Sequence, residues 1–258
     1  MTTTALITGA TSGIGAEFAR QFAVRGCDLV LVARSAEALE RSAEELRRTA
    51  RVQVETLAAD LLGPDGRDRV LERIRAGGNS GAGAARVDVL VNNAGYGLSA
   101  PFADNALDDE MDHLRIHVEV PLALAHAALQ VMRRHGEGTI INVASVAGFV
   151  PRGSYGAAKA AMISFSRWAH VAYAGDGVRV TALCPGFVHT GFHRRMGVDD
   201  GGVPRLLWLD APFVVREALK DTAAGKAVSI PGLRYRALVA LARVLPSSVV
   251  TRVAGMGR

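Results

Sequence analysis

The sequence predicts a doubly wound α/β fold, a single domain built on a mostly parallel sheet of about seven strands. Three observations predict it. Short apolar runs alternate with helix-period segments along most of the 258 residues. The run Asp28-Leu-Val-Leu-Val-Ala33 is almost continuously apolar, as in strands buried on both faces. The first apolar run leads through a glycine-rich turn into a helix, the opening of a right-handed βαβ series.

In order, Ala5-Leu-Ile-Thr8 is the first strand, and the helix after it carries Phe18, Ala19, Phe22 and Ala23 on one side. The second strand is 28–33. Ser35 then caps a helix with Leu39, Ala43 and Leu46 along one stripe. Val52 to Leu57 alternates as a third strand, Pro64 to Ala76 is helical, and Gly77 to Gly83 is a flexible loop. Val87 to Val91 is the fourth strand. One long helix, about Leu107 to Arg134, leads to the fifth at Thr139–Ala144. A small-residue helix begins near Tyr155, a sixth strand spans Arg179–Cys184, and a seventh lies at Ala227–Ile230. No repeat or low-complexity tract divides residues 1–258, so they are expected to form one domain.

Composition narrows the function. Hydrophobic residues make up 49% and charged ones 21%, as in ordinary globular proteins. The net charge of +5 comes from arginines that alternate with acids on helices (Arg41, Arg47, Arg48, Arg67, Arg69, Arg73), with no interleaved aromatics. That is a set of solvated faces and excludes a nucleic-acid surface. No apolar run reaches the ~18 residues of a transmembrane span, and a leader before the first strand is not expected. Cys27 and Cys184 stand apart in apolar surroundings and are expected to be reduced, in a cytoplasmic protein.

Two stretches carry chemistry. Thr8-Gly9-Ala-Thr11-Ser12-Gly13-Ile14-Gly15 lies between the first strand and helix, where glycines admit a diphosphate to the backbone and to the helix N-terminus. An acid closing the second strand would hold a ribose 2′-hydroxyl; here Arg34 closes it, and a guanidinium suits a 2′-phosphate. The cofactor expected is therefore NADP(H), the alternative being a solvated Arg34. The second stretch places Tyr155 and Lys159 one helical turn apart, with Ser145 at the end of the fifth strand. An ammonium beside a phenol lowers its pKa, and a serine hydroxyl can hold a substrate oxygen. Together they suit protonation of an oxygen while hydride reaches its carbon.

TGxxxGIG at 8–15, Asn92-Asn-Ala-Gly95, Ser145, YxxxK at 155–159 and Pro185-Gly186 occur in an order that resembles the short-chain dehydrogenase/reductase family, with its Rossmann-like fold. The resemblance implies that Asp60 and Leu61 border the adenine and that Asn93, Ala94 and Gly95 line the cofactor. It also implies that Lys159 binds the nicotinamide ribose. Pro185, Gly186 and Val188 would face the carboxamide, and Thr190 the phosphates. Ser145 would orient the substrate oxygen and Tyr155 transfer the proton. One position departs. Where such enzymes carry an asparagine that organises a water relay to the lysine, this chain has His117, which either keeps a relay role or is a hydrogen-bonded helix histidine.

His113/His117 and His189/His193 have zinc-like HxxxH spacing, but no third ligand is evident, so no metal is expected. Residues 187–215, with Phe187, Trp208 and Phe213, form either a lid over an apolar substrate or ordinary packing. The basic tail, 233–258, either covers the pocket, pairs with another subunit or touches a membrane. The expected activity is NADP(H)-dependent interconversion of a ketone or aldehyde and an alcohol on an apolar small molecule, ketosteroid-like or 3-oxoacyl among others. By resemblance the enzyme is a homodimer or homotetramer. The alternative is an NADP-binding regulatory or scaffolding protein, catalytically impaired at residue 117.

Overall fold

In the computed structural model, which describes residues 2–77, 84–190, 203–245 and 250, strands and helices alternate from the start. β1 (Thr4–Thr8), α1 (Gly13–Val24), β2 (Asp28–Ala33), α2 (Ala36–Ala50), β3 (Val54–Ala58), α3 (Pro64–Ala76) and β4 (Val89–Asn92) form the first half. The second half runs α4 (Leu107–Leu114), α5 (Val120–His135), β5 (Gly138–Val143), α6 (Gly153–Ala172), β6 (Val178–Leu183) and the short pair β7 (Phe187–Val188) and β8 (Trp208–Leu209). α7 (Ala211–Ala223), β9 (Val228–Ser229) and α8 (Leu233–Val244) complete it.

Seven strands pair in the order β3-β2-β1-β4-β5-β6-β9, every pair parallel. The order reverses between β1 and β4, which opens a crevice at the carboxyl ends of those strands, beside Thr8 and Asn92. The strand sequences explain the layers. Ile7, Leu29 and Leu31 point to one face and pack with Phe18, Leu39 and Val214 of α1, α2 and α7. Leu6, Val30 and Val32 point to the other, against Ile74, Leu124 and Met132 of α3 and α5. Each fully buried side chain of this size contributes about 1.5–3 kcal/mol, so a one-residue slip of either strand would be expensive.

The expected Ser35 cap is present, and a glycine closes α5. Ser35 Oγ accepts from Ala38 N at 3.2 Å, and Gly136 closes α5 at φ +69°. Boundaries differ where tertiary contacts intervene. Arg51 closes α2 in the left-handed region and Gln53 N is held by Asp28 Oδ1, so β3 begins at Val54 rather than Val52. The seventh strand is shortened to two residues. The long predicted helix is interrupted: residues Arg115–Glu119 form a π turn between α4 and α5. Pro121 has no N–H for the carbonyl of His117 and its ring crowds that oxygen, which widens the helix there. The loop at 78–83, residues 191–202 within the expected lid, and most of the tail after 245 lie outside the described residues. No described helix is long and apolar enough to cross a membrane.

Candidate active site

The glycine turn is held from behind by Asn93. Its Nδ2 donates to the carbonyls of Thr8 (2.9 Å) and Gly9 (3.2 Å), while Thr8 Oγ1 accepts from the Asn93 and Ala94 amides at 2.9 and 3.0 Å. Gly9 and Gly13 take left-handed φ values of +66° and +56°, and a Cβ on Gly15 would overlap Gly9 O and Asn93 Nδ2. A side chain on any of the three would strain the turn or fill it. Ser12 precedes α1 without capping it, so the first amides of that helix remain for an anion. This cradle fits a dinucleotide diphosphate. Thr190 leans on it, its Cβ 3.2 Å from where a Gly13 side chain would begin. Arg34 projects from the end of β2, exposed and without an ion pair among the described residues. Asp60 is exposed and Leu61 buried just beyond β3, at the same edge of the crevice.

Ser145, Tyr155 and Lys159 converge at the end of β5. Ser145 Oγ accepts from Ala147 N at 3.1 Å, which turns its own proton toward the Tyr155 oxygen, its hydrogen-bond partner. Lys159, 6% exposed, donates to Val143 O at 2.9 Å, with Nζ 5.6 Å from the centre of the Tyr155 ring. Burial opposes the acidification expected of the phenol. Burial pushes Tyr155 up to about 12, only partly offset by the Ser145 hydrogen bond, and pushes Lys159 down to about 8. Burial is thus the largest influence on both groups.

The sequence pattern of the short chain dehydrogenases matches residues 3–200. The chain belongs to that family. It is 40% identical over 198 residues to a sulfoacetaldehyde reductase of Chromohalobacter salexigens, covering 74% of this chain and 75% of that protein. A short-chain dehydrogenase from Sphingobium yanoikuyae, solved with NADPH, superposes with a TM-score of 0.84 at 34% identity over 93% of this chain and 94% of that one. The bulky-bulky ketone specific alcohol dehydrogenase of Comamonas testosteroni superposes at 0.79, 29% identical, over 95% and 96%.

Within this short-chain dehydrogenase fold, His117 sits on the π turn, 3% exposed. Its Nε2 lies 2.7 Å from the carbonyl of Tyr96. A carbonyl only accepts, so Nε2 carries the proton and Nδ1 is a bare acceptor, buried with no protein partner. Burial, then the charge of Lys159, hold this imidazole well below the usual histidine range, so it is neutral at pH 7. His117, Lys159, Asn92 and Asn142 line one cavity about the size of a single water molecule. Asn92 Nδ2 donates to Asn142 Oδ1 (2.8 Å) and Pro121 O (3.2 Å), and Asn142 passes the chain to Ser166.

The Pro185–Val188 segment is held by a residue the sequence did not single out as a site residue. Tyr235 of α8 packs its ring where a Gly186 side chain would stand; its hydroxyl donates to Leu207 O (2.5 Å) and accepts from Phe187 N (3.0 Å). Pro185 and Val188 are buried. Of the expected lid, Phe187 and Trp208 meet across β7–β8 with ring centres 5.6 Å apart, whereas Leu209 and Phe213, half-buried, pack against the core. His193, Phe192 and Asp199-Asp200 lie outside the described residues, and among those described no group of three His, Cys, Asp or Glu side chains is placed to hold a metal. Cys27 and Cys184 are free thiols; burial pushes Cys184 up to about 12, leaving it unreactive.

Proposed function

We propose that the protein is an NADP(H)-dependent reductase or dehydrogenase that interconverts a ketone or aldehyde and an alcohol on an apolar small molecule. The observation that carries this reading is the Ser145–Tyr155 hydrogen bond beside a buried Lys159, at the mouth of a crevice whose glycine cradle suits a diphosphate. Gly9, Thr11, Ser12, Gly13, Ile14 and Gly15 hold the diphosphate. Arg34 binds the 2′-phosphate, Asp60 and Leu61 border the adenine, and Asn93, Ala94 and Gly95 line the cofactor. Lys159 binds the nicotinamide ribose, Pro185, Gly186 and Val188 meet the carboxamide, and Thr190 meets the phosphates. Bound NADPH supplies the hydride.

The chain's own groups do the rest. Ser145 holds the substrate oxygen; Tyr155 gives that oxygen a proton as negative charge develops on it. The ammonium of Lys159 stabilises the phenolate that remains. The bare Nδ1 of His117 is an acceptor for a water in the cavity it shares with Lys159, and so keeps a relay role where the family has asparagine. The Sphingobium relative bound to NADPH supports the cofactor, and the Comamonas ketone-specific relative supports a bulky apolar carbonyl. The aromatic pair Phe187–Trp208, next to the nicotinamide segment, is in keeping with such a substrate. Free thiols are consistent with a cytoplasmic protein, and exposed Trp168 and Val171 on α6 with a homodimer or homotetramer. The test is NADPH oxidation against a panel of aryl and alicyclic ketones. Turnover of at least one member is expected; NADPH binding without any turnover would favour a binding protein.

A further inference from the structure

Helix α8 is apolar on the side it turns to solvent. Tyr235 and Val239, one turn apart, face the protein and are buried. Leu233, Ala237, Leu241 and Val244 stand at i, i+4, i+8 and i+11 and so share the opposite face. Leu233, Leu241 and Val244 are 78%, 51% and 78% exposed. Leu206, also exposed, lies beside the first turn, because Arg234 Nη1 donates to its carbonyl at 2.7 Å. The stripe runs along most of the helix, about 17 Å at the usual rise per residue. An ordinary surface helix turns its apolar stripe inward and its charges outward.

The charge around this stripe has one sign. Residues 222–258 contain no aspartate or glutamate. Lys226 and Arg236 are committed to Asp221 and Glu217. Arg234 and Arg243 flank the stripe on its two sides, exposed and with no ion pair among the described residues. Arg243 lies 5.1 Å from the centre of the Phe149 ring, which Arg167 of α6 approaches at 5.7 Å, so a further guanidinium stands beside it. A two-fold contact between copies would set this face against itself. It would bring arginine against arginine with no acid on the helix to pair them, which is unfavourable. An apolar stripe edged by unpaired cations suits an anionic bilayer instead. There the leucines enter the acyl boundary and the guanidiniums meet phosphate.

We propose that α8 docks the protein on anionic lipid membranes, its outer face lying in the plane of the interface. At 12 residues the helix is too short to span a bilayer and rests on it. On its inner side the Tyr235 ring packs against Gly186. Docking therefore brings the bilayer to within one helix diameter, ~10–12 Å, of Pro185–Val188. That position is in keeping with the apolar substrate proposed above, but the lipid contact does not rest on the enzyme reading.

The experiment is co-sedimentation of the full chain with vesicles of phosphatidylcholine alone and of phosphatidylcholine mixed with phosphatidylglycerol, at low and high salt. Binding to the mixed vesicles that weakens with salt is expected, with little binding to phosphatidylcholine alone. Leu241→Ser/Val244→Ser should lose about tenfold or more in partition, and thermal denaturation should show the fold intact because both side chains are exposed. Arg234→Gln/Arg243→Gln should lose about tenfold or more on the mixed vesicles, whereas Arg234→Lys/Arg243→Lys should keep most of the binding. No sedimentation with the mixed vesicles overturns the proposal. Binding that the serine and glutamine pairs leave unchanged also overturns it, since another surface then makes the contact. So does self-association of the wild type without vesicles that the serine pair abolishes, which would make the face a contact between copies.

Discussion

The imidazole of His117 occupies the space beside the α carbon of Gly95, so closely that a Cβ there would overlap its Cε1 and lie 2.8 Å from Nδ1. The histidine at 117 and the glycine that ends the Asn-Asn-Ala-Gly run therefore fit one another. Gly95→Ala should displace the ring from Tyr96 O and destabilise the fold by about 1–3 kcal/mol. Thermal denaturation checks this. In a His117→Ala background the same substitution should cost much less, and equal costs in both backgrounds would mean that the contact does not matter.

The histidine pair makes the fold sensitive to acid. Burial holds His113 and His117 below their ordinary range, so as pH falls through ~6.5 the unfolded chain takes up protons that the folded one refuses. Stability should drop by up to ~1.4 kcal/mol per pH unit for His117 over that window, and by less for His113, whose shift Glu110 partly offsets. Denaturant midpoints between pH 7 and pH 5 should show a flatter slope in His113→Phe/His117→Asn; an unchanged slope would assign the acid lability elsewhere.

The proposed NADP(H) preference is assigned to Arg34, exposed at the end of β2. A charge-assisted hydrogen bond to phosphate is worth about 1.5–3 kcal/mol. Arg34→Asp should therefore move the NADPH-to-NADH preference by about tenfold to a hundredfold toward NADH, read from the two dissociation constants. A preference that does not move would leave Arg34 as a surface residue.

Tyr235 fastens the segment Pro185–Val188, which is proposed to meet the nicotinamide. Tyr235→Phe removes a donor to Leu207 O and an acceptor for Phe187 N, and should cost about 1–3 kcal/mol in thermal stability. Gly186→Ala should cost a similar amount by driving a methyl into the ring. If the two together cost the full sum of their separate effects, the ring and the glycine are not in contact as described.

Much of this was legible in the chain because it is local. Continuous apolar strands, the glycine turn, the Ser35 cap and the one-turn spacing of Tyr155 and Lys159 each follow from residues near one another in sequence. What was not legible depends on long-range packing. Tyr235 reaches Gly186 from α8, and nothing in either segment announces the contact. Pro121 widens the helix at His117, a consequence of which carbonyl lies one turn before it. His113 stood in the sequence only as half of a zinc-like pair, and its place against Tyr155 appears once α4 and α6 are packed. The burial of Tyr155 was not legible for the same reason, since spacing says nothing of how much water packing removes.

The central claim is tested most directly by comparing Tyr155→Phe with the wild type for NADPH-driven reduction of a ketone, with NADPH affinity measured in parallel. Loss of about a hundredfold or more in kcat with affinity retained is the predicted result. Undiminished reduction by the phenylalanine variant would contradict it.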